Sequence, residues 1–330
     1  MKPLPHFSNS EIEALRPDSL RPSPSEHPHA TSWEQEATSA TGGDLADVLT
    51  VMLLGSECQF RCLMCDLWKT THRGPTPSGS IPKQLHNALR GTNGNPAGVT
   101  KPRERWIKLY NASNFFAPYN VPVNDLDLIA REVVAFQRIV VENHPRLLRE
   151  SIVRFRDALH GRLEVALGLE TVHPETLAAL NKRMDVDDFQ AACQWLLSRD
   201  IDVRSFVLLK PPGMDEEEGI FWCERSVRFA ESQGVRHVSI IPMRSGNGAV
   251  DVLQQRQLFE PPLARSLESA LNAALSPNIV VTADLWDWHK LRGLCPKCSS
   301  QRLAAIQLAN LRQHAINSDS SFLPACPCRS

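Results

Sequence analysis

The spacing of three cysteines constrains this chain more than any other feature of its sequence. Cys58, Cys62 and Cys65 are separated by three and two residues, and they follow the apolar run 48–54. That run predicts a buried strand that leads into a loop. Thiolates are the ligands of iron–sulfur clusters, and a four-iron cluster with three local cysteines leaves one iron without a protein ligand. The sequence therefore predicts a [4Fe-4S] site whose open iron can bind a small-molecule chelator.

Two other interpretations of these cysteines stay open. They could bind zinc, or they could pack as small apolar side chains. A structural zinc site usually has four ligands. The nearest downstream histidine, His72, lies at the edge of a loop rich in Gly, Pro and Ser and could supply the fourth. The unequal gaps, the strand before the loop and the matching segments further along the chain favour the iron–sulfur cluster.

Composition limits the class of protein. With 330 residues, of which 42% are hydrophobic, the chain can bury the core of one long α/β domain or of two shorter ones. A formal net charge of −1 gives no global basic field for nucleic acid, although a local basic patch could still bind it. No apolar stretch approaches the roughly 20 residues that span a bilayer, and the N-terminus has no signal-peptide pattern. We therefore expect a cytoplasmic protein without a membrane partner.

The order of apolar and polar segments predicts three parts of the chain. Residues 1–44 are rich in Pro, Ser, Glu and Thr and are expected to be disordered. Residues 45–245 alternate short apolar runs with helical patterns, which predicts a parallel sheet covered by helices. Residues 246–330 are expected to form a helical C-terminal extension. The predicted strands are 48–54, 106–110, 137–141, 163–168, 203–209 and 237–242.

The cysteine motif and the six predicted strand–helix units together resemble the radical S-adenosylmethionine (radical SAM) superfamily. In that superfamily the amino and carboxylate groups of SAM occupy the fourth iron of the cluster. The resemblance implies an α/β fold with a partial (βα)6 TIM-like barrel and a site on the loops at the carboxyl ends of the strands. It also implies an enzyme with a [4Fe-4S] cluster and SAM as cofactors, reductive SAM cleavage, and an electron donor such as flavodoxin or ferredoxin as partner.

Polar side chains follow two of the predicted strands, where such a barrel would present them to a ligand. Asn111 and Ser113 follow the second strand, whose end commonly contacts the amino group of SAM in radical SAM proteins, and both carry suitable acceptors. The alternative is a turn whose side chains bond their own backbone. Glu170 follows the fourth strand and could accept ribose hydroxyls or bind an ammonium. Its alternative is an ion pair with Lys182 or Arg183.

Two cationic residues follow the fifth and sixth predicted strands. Lys210 precedes Pro211, and the residue before a proline is held extended. The lysine is therefore expected to point at the barrel mouth and to meet a carboxylate of SAM or substrate, and its alternative is a solvated side chain. Arg244 could contact an anion or adenosine, with an ordinary surface role as its alternative. Met64 stands where the superfamily usually has an aromatic residue, and the resemblance implies that it lies against the cofactor.

Further short segments carry a narrower resemblance. They are Gly168-Leu169-Glu170-Thr171, the run 108–113, Val140-Val141-Glu142-x-x-Pro145 and Arg292-Gly293-x-Cys295. These segments resemble the elongator-catalytic-subunit-like radical SAM group, and within it the archaeosine-forming radical SAM lyases. Those lyases act on a lysine-modified deazaguanine in transfer RNA, so the resemblance implies a modified nucleoside in tRNA as one substrate, beside a small metabolite. Asp66 after Cys65 departs from the Met-Cys-Gly context of that family.

Four further cysteines lie towards the end of the chain. Cys295 and Cys298 form a Cys-x-x-Cys pair, and Cys326 and Cys328 form a Cys-x-Cys pair. Four thiols in two pairs suit a closed tetrahedral site, which could hold zinc or an auxiliary iron–sulfur cluster. A redox dithiol at the first pair and free thiols throughout are the alternatives.

Two functions of different classes are consistent with these features. The first is a radical SAM enzyme that acts on an unknown substrate. The second is a metal-binding scaffold or interaction protein, with zinc or an iron–sulfur cluster, that keeps the barrel without SAM turnover. Iron content and SAM cleavage after anaerobic reconstitution distinguish them, because a protein that holds only zinc cannot supply the electron for cleavage.

Overall fold

One sheet of eight strands forms the centre of the molecule. Its strands are β1 (Ala30–Ala37), β2 (Leu45–Met52), β3 (Arg105–Tyr110), β4 (Arg138–Asn143), β5 (Arg162–Glu170), β6 (Asp202–Leu209), β7 (His237–Pro242) and β8 (Val280–Ala283). The computed structural model describes residues 2–91 and 104–316. The strands follow one another in chain order across the sheet. β1 is antiparallel to β2, and each later pair of neighbours is parallel.

Ten helices lie in the described part of the chain: α1 (Asn9–Ala14), α2 (Ser80–Gly91), α3 (Leu126–Glu132), α4 (Glu150–Ala158), α5 (Pro174–Ala179), α6 (Val186–Leu197), α7 (Glu216–Ser232), α8 (Ala249–Gln255), α9 (Ala264–Ala274) and α10 (Ser299–Arg312). Eight of these ten helices connect successive parallel strands, whereas α1 precedes β1 and α10 follows β8. Asp185 and Asp215 precede α6 and α7, and each accepts a hydrogen bond from a backbone N–H of the first turn. Such caps satisfy N–H groups that have no partner inside a helix, so they fix where these helices begin.

Alternate residues of the strands face the helices. Leu49 and Val51 of β2 and Val165 of β5 are buried in the main hydrophobic core, together with Ile129 of α3 and Phe189 of α6. The side chains between them point into the interior of the curved sheet, because successive residues of a strand face opposite sides. The prediction of an α/β, TIM-like barrel is confirmed, and each of the predicted strands corresponds to one of β2 to β7.

The prediction that residues 1–44 are disordered is wrong for two segments. Both α1 and β1 lie there, and β1 pairs with β2 along its full length, from Ala30 opposite Met52 to Ala37 opposite Leu45. The sequence does not show the apolar pattern of a strand here, because β1 carries Thr, Ser, Glu and Gln at most of its positions. An edge strand can be this polar because its pairing supplies backbone hydrogen bonds that do not depend on side chains.

The segment predicted as a helical extension, 246–330, also contains a strand. β8 is parallel to β7, with Val280 opposite His237 and Ala283 opposite Ile240. Its 4 residues are too few for a recognisable pattern, because short apolar runs are ambiguous between strand and helix. The sheet therefore continues beyond the boundary predicted at residue 245.

Charged side chains fill the interior near the amino ends of the parallel strands. Arg204 of β6 donates to both carboxylate oxygens of Glu36 on β1, at 3.0 and 2.8 Å, and to Glu164 on β5 at 3.1 Å. Lys108 of β3 also pairs with Glu36. These four buried residues are called the floor network below. Burial alone would raise the pKa of Glu36, but the charges of Arg204 and Lys108 hold that pKa well below its usual range.

Helix α10 contacts both β1 and β8, the two edge strands of the sheet. Two amide side chains near its end replace a neighbouring strand for β8. Asn310 bonds the backbone N–H and carbonyl of Ala283, both at 2.9 Å, and Gln313 bonds those of Val281 at 2.8 and 3.0 Å. These contacts satisfy backbone groups that an edge strand would otherwise present to another chain.

Replacing Arg204 with methionine is expected to destabilise the protein by about 3–5 kcal/mol, because it removes the cation that Glu36 and Glu164 share in the interior. Urea denaturation followed by circular dichroism measures the loss. The control is Lys83→Met, which removes the solvent-exposed partner of Glu26 and should leave the unfolding midpoint nearly unchanged. Equal losses in the two variants would contradict the role assigned to the floor network.

Candidate functional site

The three clustered cysteines share one loop at the carboxyl end of β2. This cysteine loop comprises residues 53–66. The thiols of Cys58, Cys62 and Cys65 lie close enough to interact electrostatically with one another. Among the described residues, no group of three or more His, Cys, Asp and Glu side chains is arranged to hold a metal ion. In an iron–sulfur cluster the thiolates are distributed over several irons, so this finding concerns sites for a single ion.

Asparagines from three other loops hold the backbone of the cysteine loop. Each donates its side-chain amide N–H to a carbonyl of the loop: Asn120 to Glu57 at 2.9 Å, Asn181 to Arg61 at 2.7 Å, and Asn247 to Leu63 at 2.7 Å. Asn120 follows β3, Asn181 follows α5, and Asn247 follows β7. Because these loops lie on the same side of the sheet, the barrel itself determines the conformation of the cysteine loop.

The three thiols fit an iron–sulfur cluster in their chemistry. Burial raises the pKa of Cys58 and Cys62, and it raises the pKa of Cys65 to about 12. In these surroundings a thiol ionises at neutral pH only when a cation replaces its proton. Thiolates are soft ligands that suit iron–sulfur clusters and zinc better than they suit magnesium or calcium. Three half-buried thiols in one loop therefore form a donor set that a four-iron cluster can use.

Cys58 has the most elaborate surroundings of the three cysteines. Its sulfur accepts a hydrogen bond from the side-chain amide of Asn114 at 3.0 Å and one from the backbone N–H of Phe60 at 3.4 Å. The ring of Phe60 stacks on His144, with 3.9 Å between ring centroids. Burial lowers the pKa of His144 to about 3, so this ring is neutral, and its Nε2–H can donate to the carbonyl of Lys182 at 2.9 Å.

The end of β3 places Asn111 and Ser113 beside a half-buried carboxylate. Glu142, on β4, accepts hydrogen bonds from the backbone N–H groups of residues 111–113. Burial raises the pKa of Glu142 to about 7, although these bonds act to lower it. The buried side-chain atoms of Asn111 and the hydroxyl of Ser113 have no hydrogen-bond partner within the described part of the chain. The alternative of side chains that bond their own backbone is therefore not what the structure contains.

Glu170 forms an ion pair with Lys182, as its alternative interpretation predicted. Both side chains are buried, and the charge of Lys182 acts on Cys62 and Cys58. Glu170 has a φ of +67° at an irregular position in the β5–β6 pairing. A Cβ at Gly168 would collide with both charged groups, so the pair needs glycine there. The pair lies beside the cysteines, whereas a contact of Glu170 with a nucleoside stays a prediction.

Lys210 does not lie where the sequence predicted. Its φ is +55°, which is left-handed and not the extended conformation expected before Pro211. Its ammonium donates to Glu216 at the start of α7 at 2.5 Å. A Cβ at Gly219 would touch the Lys210 side chain, so the lysine packs closely against this helix. The prediction that Lys210 points at the barrel mouth is therefore wrong.

Arg244 and Met64 both lie at the cysteine loop. Arg244 pairs with Asp66 at 3.2 Å and with Asp287 at 2.8 Å, so it connects this loop to the segment after β8. Met64 is partly buried and packs against an apolar cluster that includes Leu63. Contact of either residue with adenosine or with a cofactor stays a prediction.

Of the four tail cysteines, two lie in the described part of the chain. Cys298 is buried and directly precedes α10, and the carbonyl of Cys295 accepts the backbone N–H groups of Cys298 at 3.1 Å and Ser299 at 2.8 Å. Cys326 and Cys328 lie outside the described residues. The second metal site predicted for these four thiols stays a prediction.

Residues 2–16 form an N-terminal strap across the cysteine loop. Glu13 pairs with Arg61, and Arg16 pairs with Glu57 at 2.7 Å. The backbone N–H of Lys2 donates to the carbonyl of Gly213, after β6, at 2.8 Å. The strap therefore joins the loop after β2 to the loop after β6 on the same side of the barrel.

The apolar anchor of the strap is Ile12, which is 4% exposed. It belongs to a buried cluster with Leu63 of the cysteine loop, Leu180 after α5, Leu208 of β6 and Met243 after β7. Because one member of this cluster lies between Cys62 and Cys65, packing of the strap and conformation of the cysteines are coupled.

Sequence reasoning assigned no role in the site to Glu142, His144 or Asn114, and it considered Lys182 only as an ion-pair partner of Glu170. Glu142 and Asn114 each follow an apolar strand at its carboxyl end, which is a usable signal for a barrel site. The contact of Asn114 with Cys58 joins residues far apart in the chain, and it depends on a side-chain direction that no local pattern encodes.

Comparison with known proteins gives no family model that matches this chain. A curated relative, an uncharacterized protein of Methanocaldococcus jannaschii, is 20% identical over 240 residues, which cover 70% of this chain and 65% of the relative. This chain therefore spans somewhat less than two thirds of that relative.

Several solved structures are similar to the barrel. Methylornithine synthase gives a TM-score of 0.52 at 15% identity, over 81% of this chain and 71% of that enzyme. A radical S-adenosylmethionine methyltransferase of Kitasatospora setae, solved with cobalamin and a [4Fe-4S] cluster, gives 0.42 at 15% identity, over 65% of this chain and 40% of that one. Coproporphyrinogen III oxidase of Escherichia coli, a radical SAM enzyme, gives 0.42 at 13% identity, over 80% and 54%. The likeness to methylornithine synthase shows the fold.

None of the helices described between residues 2 and 316 combines the length and the apolar composition that a bilayer crossing requires.

Replacing Ile12 with aspartate is expected to detach the strap and expose the cysteine loop, because burial of an isoleucine contributes roughly 1.5–3 kcal/mol. In the metal-free protein, alkylation of Cys58, Cys62 and Cys65 by iodoacetamide should accelerate about tenfold or more, as measured by mass spectrometry. The control is Leu20→Asp at a 100% exposed position, which should keep the wild-type rate. Identical rates in Ile12→Asp and wild type would contradict a covering role for the strap.

Proposed function

We propose that this protein is a radical SAM enzyme. It holds a [4Fe-4S] cluster through Cys58, Cys62 and Cys65, binds SAM at the remaining iron, and cleaves it reductively to start radical chemistry on a substrate. The observation that carries the proposal is the grouping of three half-buried thiols in one loop at the carboxyl end of the barrel, where such barrels have their active sites. The fold shared with methylornithine synthase is consistent with it.

The ends of β3 and β4 suit the ammonium of SAM. Glu142 lies there with no lysine, arginine or histidine among the described residues paired to it, and Asn111 and Ser113 add buried polar atoms. An ionised carboxylate binds an ammonium through a charge-assisted hydrogen bond. Binding would also give partners to side-chain atoms that are otherwise costly to bury unpaired.

The cluster, when bound, supplies the single electron that reductive cleavage of SAM requires. The chain itself orients the ligands and excludes water. Phe60 and His144 cover one side of the cysteine loop, and Ile12 of the strap covers the apolar cluster beside it. Closure of this kind protects a reactive intermediate from solvent.

The substrate is proposed from the sequence resemblance. Similarity to archaeosine-forming lyases supports a modified nucleoside in tRNA, and a small metabolite is the second candidate. Binding of bulk tRNA at several salt concentrations separates the two, because contacts with phosphates weaken steeply as salt rises. The proposed electron donor is a flavodoxin or ferredoxin in the cytoplasm.

The direct test is anaerobic reconstitution with iron and sulfide. We expect wild type to bind about four irons, to give a four-iron EPR signal on reduction that SAM alters, and to release 5′-deoxyadenosine. Cys62→Ala should lose the signal and the product. The control is Cys193→Ala, which removes a buried thiol of α6 and should keep both.

Two results would contradict the proposal. Wild type that binds only zinc would favour a metal-binding scaffold without SAM turnover. Equal iron content and product formation in Cys62→Ala and wild type would show that the cysteine loop is not the cluster site.

The affinity for SAM is expected to rise about tenfold between pH 6 and pH 8, because Glu142 has a pKa of about 7 and binds an ammonium better once ionised. Glu142→Gln should bind more weakly at pH 8 and lose most of this dependence. Anaerobic calorimetry on the reconstituted protein measures both effects. The control is the exposed Glu150→Gln, which should follow wild type. The same pH profile in Glu142→Gln and wild type would exclude Glu142 from the SAM site.

A further inference from the structure

We propose that Asn114 raises the reduction potential of the cluster by donating a hydrogen bond to the sulfur of Cys58. The amide nitrogen of Asn114 lies 3.0 Å from that sulfur, and the residue is 2% exposed. The inference rests on the proposed function for the presence of the cluster, but not for SAM cleavage. Asn114 acts here as a positioning and tuning residue that touches a ligand of the cluster.

The orientation of the Asn114 amide is fixed by its second contact. Its oxygen accepts the backbone N–H of His144 at 2.8 Å. Because a backbone N–H can only donate, the oxygen must face His144 and the NH2 group must face Cys58. His144 is held in turn by its bond to the carbonyl of Lys182 and by stacking on Phe60. The donor is therefore rigid and directed at the sulfur before any cofactor binds.

A fixed N–H dipole favours whichever redox state carries more negative charge on the sulfur. Reduction adds one electron from a low-potential donor to the cluster and breaks no bond to the protein. The added charge is shared with the thiolates, so a hydrogen bond to Cys58 is stronger in the reduced state. Cys65 receives a backbone N–H from Leu67, whereas the bond from Asn114 is a side-chain bond that a substitution can remove.

Two variants separate tuning from simple structural support. Asn114→Asp keeps an oxygen for His144 and loses the N–H donor, whereas Asn114→Leu loses both. The potential of the reconstituted cluster is measured by EPR-monitored redox titration without SAM. In Asn114→Leu we expect it to fall by ~59 mV, which is about a tenfold change in the one-electron equilibrium and about the strength of one hydrogen bond. In Asn114→Asp it should fall by at least as much, because the added carboxylate also disfavours the reduced state. Thermal stability should fall mainly in Asn114→Leu.

The matched control is Asn143→Leu on β4. Asn143 is also a buried asparagine, but its amide donates to the carbonyls of His144 and Leu147 and not to sulfur. This variant should lose stability and keep the wild-type potential.

Three results of the potential measurements overturn the inference. They are an unchanged potential in Asn114→Leu, a shift in Asn114→Asp alone, which would reflect the added charge, and an equal shift in Asn143→Leu. If wild type forms the cluster but releases no 5′-deoxyadenosine, the proposed function is contradicted. The measured potentials still test this inference in that case, because they are recorded without SAM. A wild type without any cluster would overturn both.

Discussion

The ionic contact between Arg204 and its two carboxylates is the constraint on which the rest of the structure depends. It joins β1, β5 and β6 across the interior, and Lys108 extends it to β3. Buried ion pairs contribute little net stability, but they penalise any register that separates their members. With the strands fixed at this end, their opposite ends bring together the cysteine loop, Glu142 and Glu170.

At the carboxyl ends of the parallel strands, by contrast, several buried polar groups lack partners in the described part of the chain. Asn111 and Ser113 have buried polar atoms without partners in the residues described, and each such group costs about 1–3 kcal/mol. Desolvation raises the pKa of Glu142, which has no cationic side chain paired to it within residues 2–91 and 104–316. A ligand that bonds these groups would offset their free-energy cost. Because a ligand that binds only the folded protein increases the free energy of unfolding, its binding would restore the lost stability. Perturbed carboxylates in clefts are typical of functional sites for this reason.

The central strands could be predicted from sequence because a strand covered on the outside and filled on the inside is apolar over most of its length. The three clustered cysteines could be predicted because the ligands lie within one loop. β1 could not, since its stability comes from pairing with β2 and from Glu36. The direction predicted for the Lys210 side chain was wrong because it was inferred only from the backbone preference of a residue before proline. In the structure, packing against Gly219 and the ion pair with Glu216 override that preference. Asn114, His144 and Lys182 meet only through tertiary structure.

The covering of the cysteine loop by residues 2–16 has a consequence for biogenesis. During synthesis these residues leave the ribosome before the barrel strands, yet Ile12 packs in one cluster with Leu208 and Met243, which follow about two hundred positions later or more. At ribosomal rates of ~5–20 residues per second, that delay is on the order of ten seconds or more. Throughout this interval the cysteines have emerged but their cover has no surface to dock on. The thiols of the cysteine loop therefore stay accessible to solvent until the seventh strand completes the docking surface.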